Sequence, residues 1–486
     1  MKVLIANRGE IAIRILRACH ELGLEAAVIY SEADRLSPHV LKAWEAHCIG
    51  PAPAKDSYLR GDKIVDLAKR IGAGAIHPGY GFLAENAGFA RLCRDAGIVF
   101  IGPNPESMEL LGSKTRSRRE ARKNDIPITP GTVEPITDLG EARKVIAEIG
   151  LPVLLKAAAG GGGKGMRVVE RMEDLPGLFE RAAGEAQAYF ADPAVYIEKV
   201  ILAPRHIEIQ LMADRFGNAV HLGERECSMQ RRHQKIFEET PSPVVSEADR
   251  AFLGETAVRV AKMAGYDSAG TAEFLRDRDG KFYFLEMNTR IQVEHPITEM
   301  TTGVDLVKEQ IRIALGEPLS LRQEEIRSRG HAMECRIYAE DPLANFAPSP
   351  GCILHLQRPD GPGIRVDSGV EAGSVVPLDY DPLLAKLVVW GETREEARAR
   401  TLRALDEYRL DGIATTIPFF KVLLEKPEFR AGDYDTTFVD TLLQTFRPAE
   451  TEDRRLLAVA MAAKLFLDDH ETRLLPPQPC SPWRIL

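Results

Sequence analysis

The chain of 486 residues contains no apolar run long enough to cross a bilayer. The longest one near its end, Leu456 to Ala463, is closed by Lys464, whereas a spanning helix needs about 20 residues. No secretory leader is expected either, because Val3, Leu4, Ile5 and Ala6 run directly into Asn7-Arg8-Gly9-Glu10. No C-x-x-C pair occurs. Cys19, Cys48, Cys93, Cys227, Cys335, Cys352 and Cys480 are scattered, and an odd, unpatterned set reads as reduced thiols, not a disulfide frame or zinc site. These absences predict a cytoplasmic protein, or a matrix protein after leader removal. There is no excess of positive charge: 63 basic against 72 acidic residues leave a net charge of −9, which argues against broad nucleic-acid binding. Internal repeats and low-complexity tracts are also missing. The first turn, Asn7-Arg8-Gly9-Glu10, lacks the G-x-G-x-x-G of a dinucleotide site, so Glu32 and Asp34 read as turn residues.

What is present is a globular composition, 44% hydrophobic and 28% charged, at a length that favours about three domains. The first hundred residues alternate strand and helix patterns. Strands are expected at Lys2–Ala6, Ala26–Tyr30, Ala75–His77 and Ile98–Ile101, with helices at Glu10–Leu22, Pro38–Ala46 and Gly61–Ile71. That alternation implies a doubly wound parallel sheet. Asn104-Pro105-Glu106 reads as a capped helix start, and a strongly basic stretch (Lys114 to Lys123) reads mainly as a solvated helix face. After the Pro/Gly hinge from Ile126 to Gly131 a second unit begins. Its strand Pro152–Lys156 leads into Ala157-Ala158-Ala159-Gly160-Gly161-Gly162-Gly163-Lys164-Gly165. So many glycines cannot hold a helix or strand, but their backbone N–H groups can wrap a polyphosphate. No Gly-Lys-Ser/Thr opens a helix here, so the loop is not of Walker A type.

From about Ile201 the pattern changes to long hairpins. His206–Met212 and Asn218–Gly223 flank Gly217-Asn218; Gly270–Arg276 and Lys281–Met287 flank Asp279-Gly280. A helix capped by Ser246 and Asp249 lies between them. Strands at His331–Tyr338, Gly351–Arg358 and Ala385–Trp390 and a helix at Thr393–Tyr408 follow. The fold class is therefore α/β at the front and α+β behind.

The stretch from Lys281 to Pro296 is the most informative. Read as a strand, it puts Glu286, Asn288, Arg290, Gln292 and Glu294 on one face. A two-residue hairpin loop sets Glu273 directly opposite Glu286, and a four-residue loop sets them diagonally. In either register the two carboxylates share a face with Asn288. Like charges so placed repel unless a cation joins them, and these oxygen donors suit Mg²⁺ or Mn²⁺. A divalent ion beside a glycine-rich, lysine-flanked loop implies ATP. Arg290 is a candidate oxyanion clamp and Glu294 a candidate general base. Glu226 to Lys235 is a second polar cluster, read as an anion pocket because no aromatics interleave for RNA stacking. Arg336 is expected either to serve chemistry or to pair with Glu334 or Glu340.

Asn7-Arg8-Gly9-Glu10-Ile11-Ala12, His77-Pro78-Gly79-Tyr80-Gly81-Phe82, the glycine loop, Met229 to Lys235 and Glu286 to Pro296 together resemble biotin carboxylase, the ATP-grasp component of biotin-dependent carboxylases. The resemblance runs collinearly from Met1 to about Leu443. It implies an ATP-grasp fold: an N-terminal α/β domain at 1–112, a linker helix at 113–129, a small lid domain at 130–200, a C-terminal antiparallel-sheet domain at 201–446 and an extension at 447–486. It implies a ligase that uses MgATP to phosphorylate bicarbonate and then carboxylates N1′ of carrier-bound biotin.

By the same resemblance, Lys114, Lys156, Gly162 and Gly163 would hold ATP phosphates. Adenine would meet Glu198, Lys199, Val200 and Ile201, with His206, Gln230 and His233 nearby. Glu273, Glu286 and Asn288 would bind the metal. Lys235, Arg290, Gln292 and the Val293 backbone would bind bicarbonate; Glu294 would deprotonate it, and Arg336 would stabilise the biotin enolate. Departures are small: Ala84 stands where many members have Ser, and Lys164 where others have Arg. Expected partners are a biotin carboxyl carrier protein or domain, a carboxyltransferase, and a second copy or larger assembly; neither nucleic acid nor membrane is expected. In the extension, Arg447–Asp453 reads as a linker, Arg454–Leu467 as an amphipathic helix and Pro476–Leu486 as a tail like the join to further domains in larger carboxylase subunits. No Met-Lys-Met acceptor occurs, so biotin is expected from outside. The competing readings are another ATP-grasp ligase, which has no reason to keep Arg290 to Pro296 with Arg336, and a non-catalytic scaffold, which predicts loss of Glu294, Arg290 or Lys235. All three are present.

Overall fold

The computed structural model describes residues 1–132, 134–157, 167–190, 193–447 and 459–467. The chain forms two compact units, Met1–Gln444 and Thr445–Leu486. In the first, five parallel strands lie in the order Glu45–Gly50, Glu25–Ser31, Lys2–Ile5, Ala73–His77 and Val99–Phe100. Alternate side chains of the central strand point to opposite faces, and both are buried. Val3 and Ile5 pack with Ile11 and Ile15 of the helix Gly9–Glu21 and with Leu306 and Ile311 of the helix Leu306–Ala314. Leu4 packs the other way, with Ile64 and Leu67 of Gly61–Ile71 and Phe89 of Ala87–Asp95. The motif His77 to Phe82 closes over Asn7, whose Nδ2 donates to the carbonyls of Pro78 (2.6 Å) and Tyr80 (2.7 Å). Gly79 (φ 63°) is needed there, since a Cβ would lie 2.9 Å from Asn7 Nδ2.

One expectation fails in this part, and one helix was not anticipated. The helix over Pro38–Ala46 stops at Leu41, and Glu45–Gly50 is instead the edge strand. Its residues are mostly half-exposed, so Glu45 and His47 break the apolar run that marks a buried strand. The helix Ala87–Asp95 carries no early apolar signal but is capped by Asn86, which accepts from the Phe89 amide.

A three-stranded antiparallel sheet follows, with Val153–Ala157 between Arg167–Val169 and Val195–Lys199. Val153, Leu155, Ile197 and Phe179 build its core. The glycine loop itself lies outside the described residues.

The largest sheet has eight strands, all paired antiparallel: Phe282–Asn288, Ala269–Arg276, Arg205–Ala213, Ala219–Arg231, Gln234–Thr240, His331–Tyr338, Leu383–Gly391 and Ile364–Ser368. The helix Glu247–Met263 begins with the expected capping box of Ser246 and Asp249. Gly351–Arg358 is not one strand but two short pieces, Gly351–Cys352 against Val375–Val376 and His355–Gln357 against Arg409–Asp411. In the second unit, residues 459–467 form a helix with exposed side chains. The rest of the expected helix from Arg454, the linker beyond Arg447 and the tail from Pro476 lie outside the described residues. Among the described residues no helix is long and apolar enough to cross a membrane.

Candidate active site

Directly opposed residues of an antiparallel pair project from the same face. One such row crosses four neighbouring strands: Glu286, Glu273, Glu208 and Arg225. The hairpin loop is neither of the two expected. Asp277 faces Lys281 across three residues, and a bulge between Glu273 and Phe274 restores the direct opposition of Glu273 and Glu286.

Three adjacent carboxylates need positive charge, and two cations supply part of it. Lys235 contacts Glu208 and donates to Glu273 Oε1 (3.1 Å) and Glu294 Oε1 (2.9 Å). Burial works against its charge, but Glu273 and Glu294 outweigh burial and raise its pKa. Arg225, fully buried, donates to Glu208 (3.3 Å), Gln210 (2.6 Å), Thr271 (3.1 Å), Gln292 (2.6 Å) and Thr298 (3.1 Å). Burial opposes the charge of Glu273 as well, yet Lys235 and His206 hold its carboxyl well below the usual range.

The strand ends at Asn288, so the alternation expected through Pro296 is corrected beyond that point. The Thr289 amide donates to Glu85 Oε1 (3.0 Å) instead of to a strand, and Pro296 opens the helix His295–Thr302 with Glu294 at its N-cap. Arg290, Gln292 and Glu294 therefore reach the site on a folded-back loop. Arg290 bonds Glu85 (3.1 Å) and Asn288 Oδ1 (2.9 Å), and Gln292 Nε2 donates to Glu273 (3.1 Å). Glu294 Oε2 accepts from Arg336 at 3.0 Å, and Arg336 Nε donates to Glu238 Oε1 at 2.7 Å. Burial opposes ionisation of Glu294, but Lys235, Arg336 and Arg225 hold it below its ordinary range. The partners expected for Arg336 are wrong: Glu340 takes Arg231 (2.7 Å), and neither Glu334 oxygen has a hydrogen-bond partner among the described residues. The register explains this, since Glu334 opposes Glu238, and burial pushes its carboxyl well above the usual range.

A cavity of ≈ 230 Å³ brings Lys156 and Glu198 together with Glu286 and Asn288; Met108, Leu111 and Met287 add apolar lining. Lys156 pairs with Glu198. Lys199 Nζ donates to the Gly150 (3.2 Å) and Leu151 (2.7 Å) carbonyls, the Val200 amide donates to Pro152 (3.1 Å), and Ile201 follows half-buried. The basic helix Lys114–Lys123 is not uniformly solvated: Arg118 is buried, donates to the Thr129 carbonyl (2.8 Å) and lies 3.5 Å from Glu198. His206 belongs to the acid row, 3.2 Å from Glu208 and 3.3 Å from Glu273. Gln230 donates to the Cys227 carbonyl (2.9 Å), and His233 is exposed at a hairpin tip with φ 65°. The Val293 carbonyl accepts from Lys386 (2.9 Å). The Lys114 side chain, Gly162 and Gly163 lie outside the described residues.

The donor set fits a hard divalent ion, with Glu273 and Glu286 opposed and Asn288 alongside. Asn288 Nδ2 donates to Glu273 (2.6 Å) while its oxygen faces Arg290, so ligation by the amide oxygen requires the amide to turn over. Glu85, Glu208, Arg225, Glu238 and Lys386 escaped the sequence reading. The alternation His206-x-Glu208-x-Gln210 on a strand was the available signal for Glu208.

Three family profiles match in order: "Biotin carboxylase, N-terminal domain" over residues 1–108, "Carbamoyl-phosphate synthase L chain, ATP binding domain" over 113–322 and "Biotin carboxylase C-terminal domain" over 334–441. Biotin carboxylase 1 of Bacillus subtilis is 52% identical over 441 residues, 90% of this chain and 98% of that protein. The alpha subunit of Dictyostelium discoideum mitochondrial methylcrotonoyl-CoA carboxylase is 48% identical over 490 residues, 100% of this chain and 70% of that subunit. The biotin carboxylase domain dimer of Hydrogenobacter thermophilus 2-oxoglutarate carboxylase, solved with MgADP, ADP and bicarbonate, superposes with a TM-score of 0.86 at 48% identity, covering 92% of this chain and 99% of that one. With its parallel N-terminal sheet, its small three-stranded sheet and its acid row on a large antiparallel sheet, the chain is an ATP-dependent ligase of ATP-grasp fold and belongs to the biotin carboxylase family.

Proposed function

We propose that this chain uses MgATP to convert bicarbonate to carboxyphosphate and transfers the carboxyl group to N1′ of biotin on a carrier. The observation that carries the reading is the placement of Glu294 between Lys235 and Arg336, with Lys235 also touching Glu273. Lys235, Arg290, Gln292 and the Val293 amide bind bicarbonate. A bicarbonate oxygen attacks the γ-phosphorus, its proton passes to Glu294, and ADP leaves. A carboxylate held low by two cations is a weak base. Glu294 becomes competent when Lys235 and Arg336 turn toward the anionic substrates, which lifts its pKa. Lys114, Lys156 and the Gly162-Gly163 lid bind the phosphates; adenine lies against the segment from Glu198 to Ile201, near His206, Gln230 and His233. Glu273, Glu286 and Asn288 would hold magnesium, which would supply Lewis-acid charge at the phosphates. The C–O bond of carboxyphosphate then breaks to give CO₂ and phosphate, the phosphate takes the N1′ proton, Arg336 meets the negative charge on the ureido oxygen, and N1′ attacks the CO₂ carbon.

The reading includes the domain division at 112, 129, 200 and 446, a cytoplasmic setting, a carrier and carboxyltransferase as partners, and a paired or larger assembly. Oxygen tracing tests it. With ¹⁸O-bicarbonate, label must appear in the released phosphate, because the attacking oxygen stays on phosphorus. Unlabelled phosphate alongside biotin carboxylation overturns this order of steps.

A further inference from the structure

The motif Asn7-Arg8-Gly9-Glu10 plays no part in the chemistry above, yet Glu10 is buried at the first turn of its helix. Its Oε1 lies 3.0 Å from the Nζ of Lys386, a lysine that is itself fully buried, and also accepts from the Tyr80 hydroxyl. The same Lys386 nitrogen donates to the Val293 carbonyl at 2.9 Å. Lys386 stands directly opposite Arg336 on the neighbouring strand, so its stem rises beside the guanidinium that binds Glu294. A buried ammonium is costly without a counter-charge: its ion-pair partner Glu10 comes from the N-terminal sheet unit, Asp367 stands opposite it on the next strand, and its remaining donor goes to the loop.

The peptide joining Val293 to Glu294 is planar and rigid. Fixing its carbonyl oxygen therefore fixes its nitrogen and the Cα that carries the Glu294 side chain. Elsewhere the loop is held mainly through side chains, with Gln292 between Arg225 (2.6 Å) and Glu273 (3.1 Å) and Glu294 between Lys235 and Arg336, while its main chain is tied by the Thr289 amide on Glu85 and by the His295 ring on the Gln292 carbonyl (2.7 Å). Lys386 holds the peptide between them. We propose that Lys386, held by Glu10, is a positioning residue that sets the Val293–Glu294 peptide, and through it the bicarbonate site. The catalytic half of this inference rests on the functional reading above; the mechanical half does not.

Lys386→Met alone strands Glu10 as a buried charge, so the decisive variant is the double substitution Glu10→Gln with Lys386→Met, which removes both charges. Hydrogen exchange on the intact chain reads the mechanical half. Amides from 289 to 297 should exchange at least tenfold faster in the double variant, with strand 331–338 unchanged. Steady-state kinetics reads the catalytic half: kcat/KM for bicarbonate should fall at least tenfold while KM for ATP stays within threefold. Unchanged exchange in the loop overturns the strut. An equal loss toward ATP and bicarbonate, or no loss, overturns its catalytic role. If the parent makes ADP without bicarbonate, the functional reading fails, and the exchange result still decides the strut.

Discussion

Glu294→Gln separates chemistry from folding because of how its partners are shared. Lys235 keeps Glu208 and Glu273, and Arg336 keeps Glu238, so the amide strands neither cation. Breaking a buried pair outright costs about 3–5 kcal/mol, but with these carboxylates retained the loss should be nearer the ~1–3 kcal/mol of a hydrogen bond to a charged group. The proton acceptor, by contrast, is gone entirely. General-base catalysis contributes ~10²–10⁴ in rate, so kcat for bicarbonate-dependent ADP release should fall by that factor, about 3–5 kcal/mol of barrier. A coupled ADP assay beside a thermal melt reads both quantities. Because Glu294 is held below the ordinary carboxylate range, it stays ionised down to acid pH in the free enzyme, so no acid limb of kcat/KM between pH 6 and 8 belongs to it. Full activity in a folded Glu294→Gln protein would refute the assignment of the base.

Glu273→Gln should raise the Mg²⁺ concentration for half-maximal activity at least tenfold, read by metal titration; an unchanged midpoint would remove Glu273 from the metal site. Arg225→Met leaves Glu208 with Lys235 and His206 but removes the donor to Gln210 and Gln292, and should cost about 1–3 kcal/mol in urea unfolding; no measurable loss would contradict its role as the hub of the acid row. Glu239 is buried against His331 (2.6 Å), Arg394 (2.7 Å) and Tyr434, and although burial opposes its charge, His331 and Arg394 lower its pKa to about 2. A depressed carboxyl contributes stability that is present above its unfolded pKa and is lost as pH falls through the folded one. Glu239→Gln should therefore cost about 3 kcal/mol at pH 7, with a deficit that narrows below about pH 4.5; a constant deficit in urea midpoints across that range would contradict the ion pairing.

The acid pair Glu273 and Glu286 was legible because hairpin pairing is local: Asp279-Gly280 fixes the turn within narrow limits, and a bulge absorbed the remaining residue. Glu294 was legible as a residue but not as a position. Strand alternation carried it to the right face for the wrong reason, since the chain leaves the sheet after Asn288 and Pro296 starts a helix. Arg336 found Glu238 and not Glu334 because cross-strand partners come from residues about a hundred positions away, which no local pattern encodes. The same holds for Lys386 and Glu10, which meet only when the N-terminal sheet docks on the large one. Arg225 lies just ahead of the polar cluster Glu226 to Lys235 and gains meaning only when the register sets it against Glu208. The edge strand Glu45–Gly50 was hidden by its half-exposed polar residues.

The central claim is that this site activates bicarbonate for biotin, and ADP formation by the purified chain tests it most directly. With MgATP present, ADP should appear only when bicarbonate is added and should accelerate with free biotin. ATP hydrolysis that ignores both bicarbonate and biotin would contradict the account.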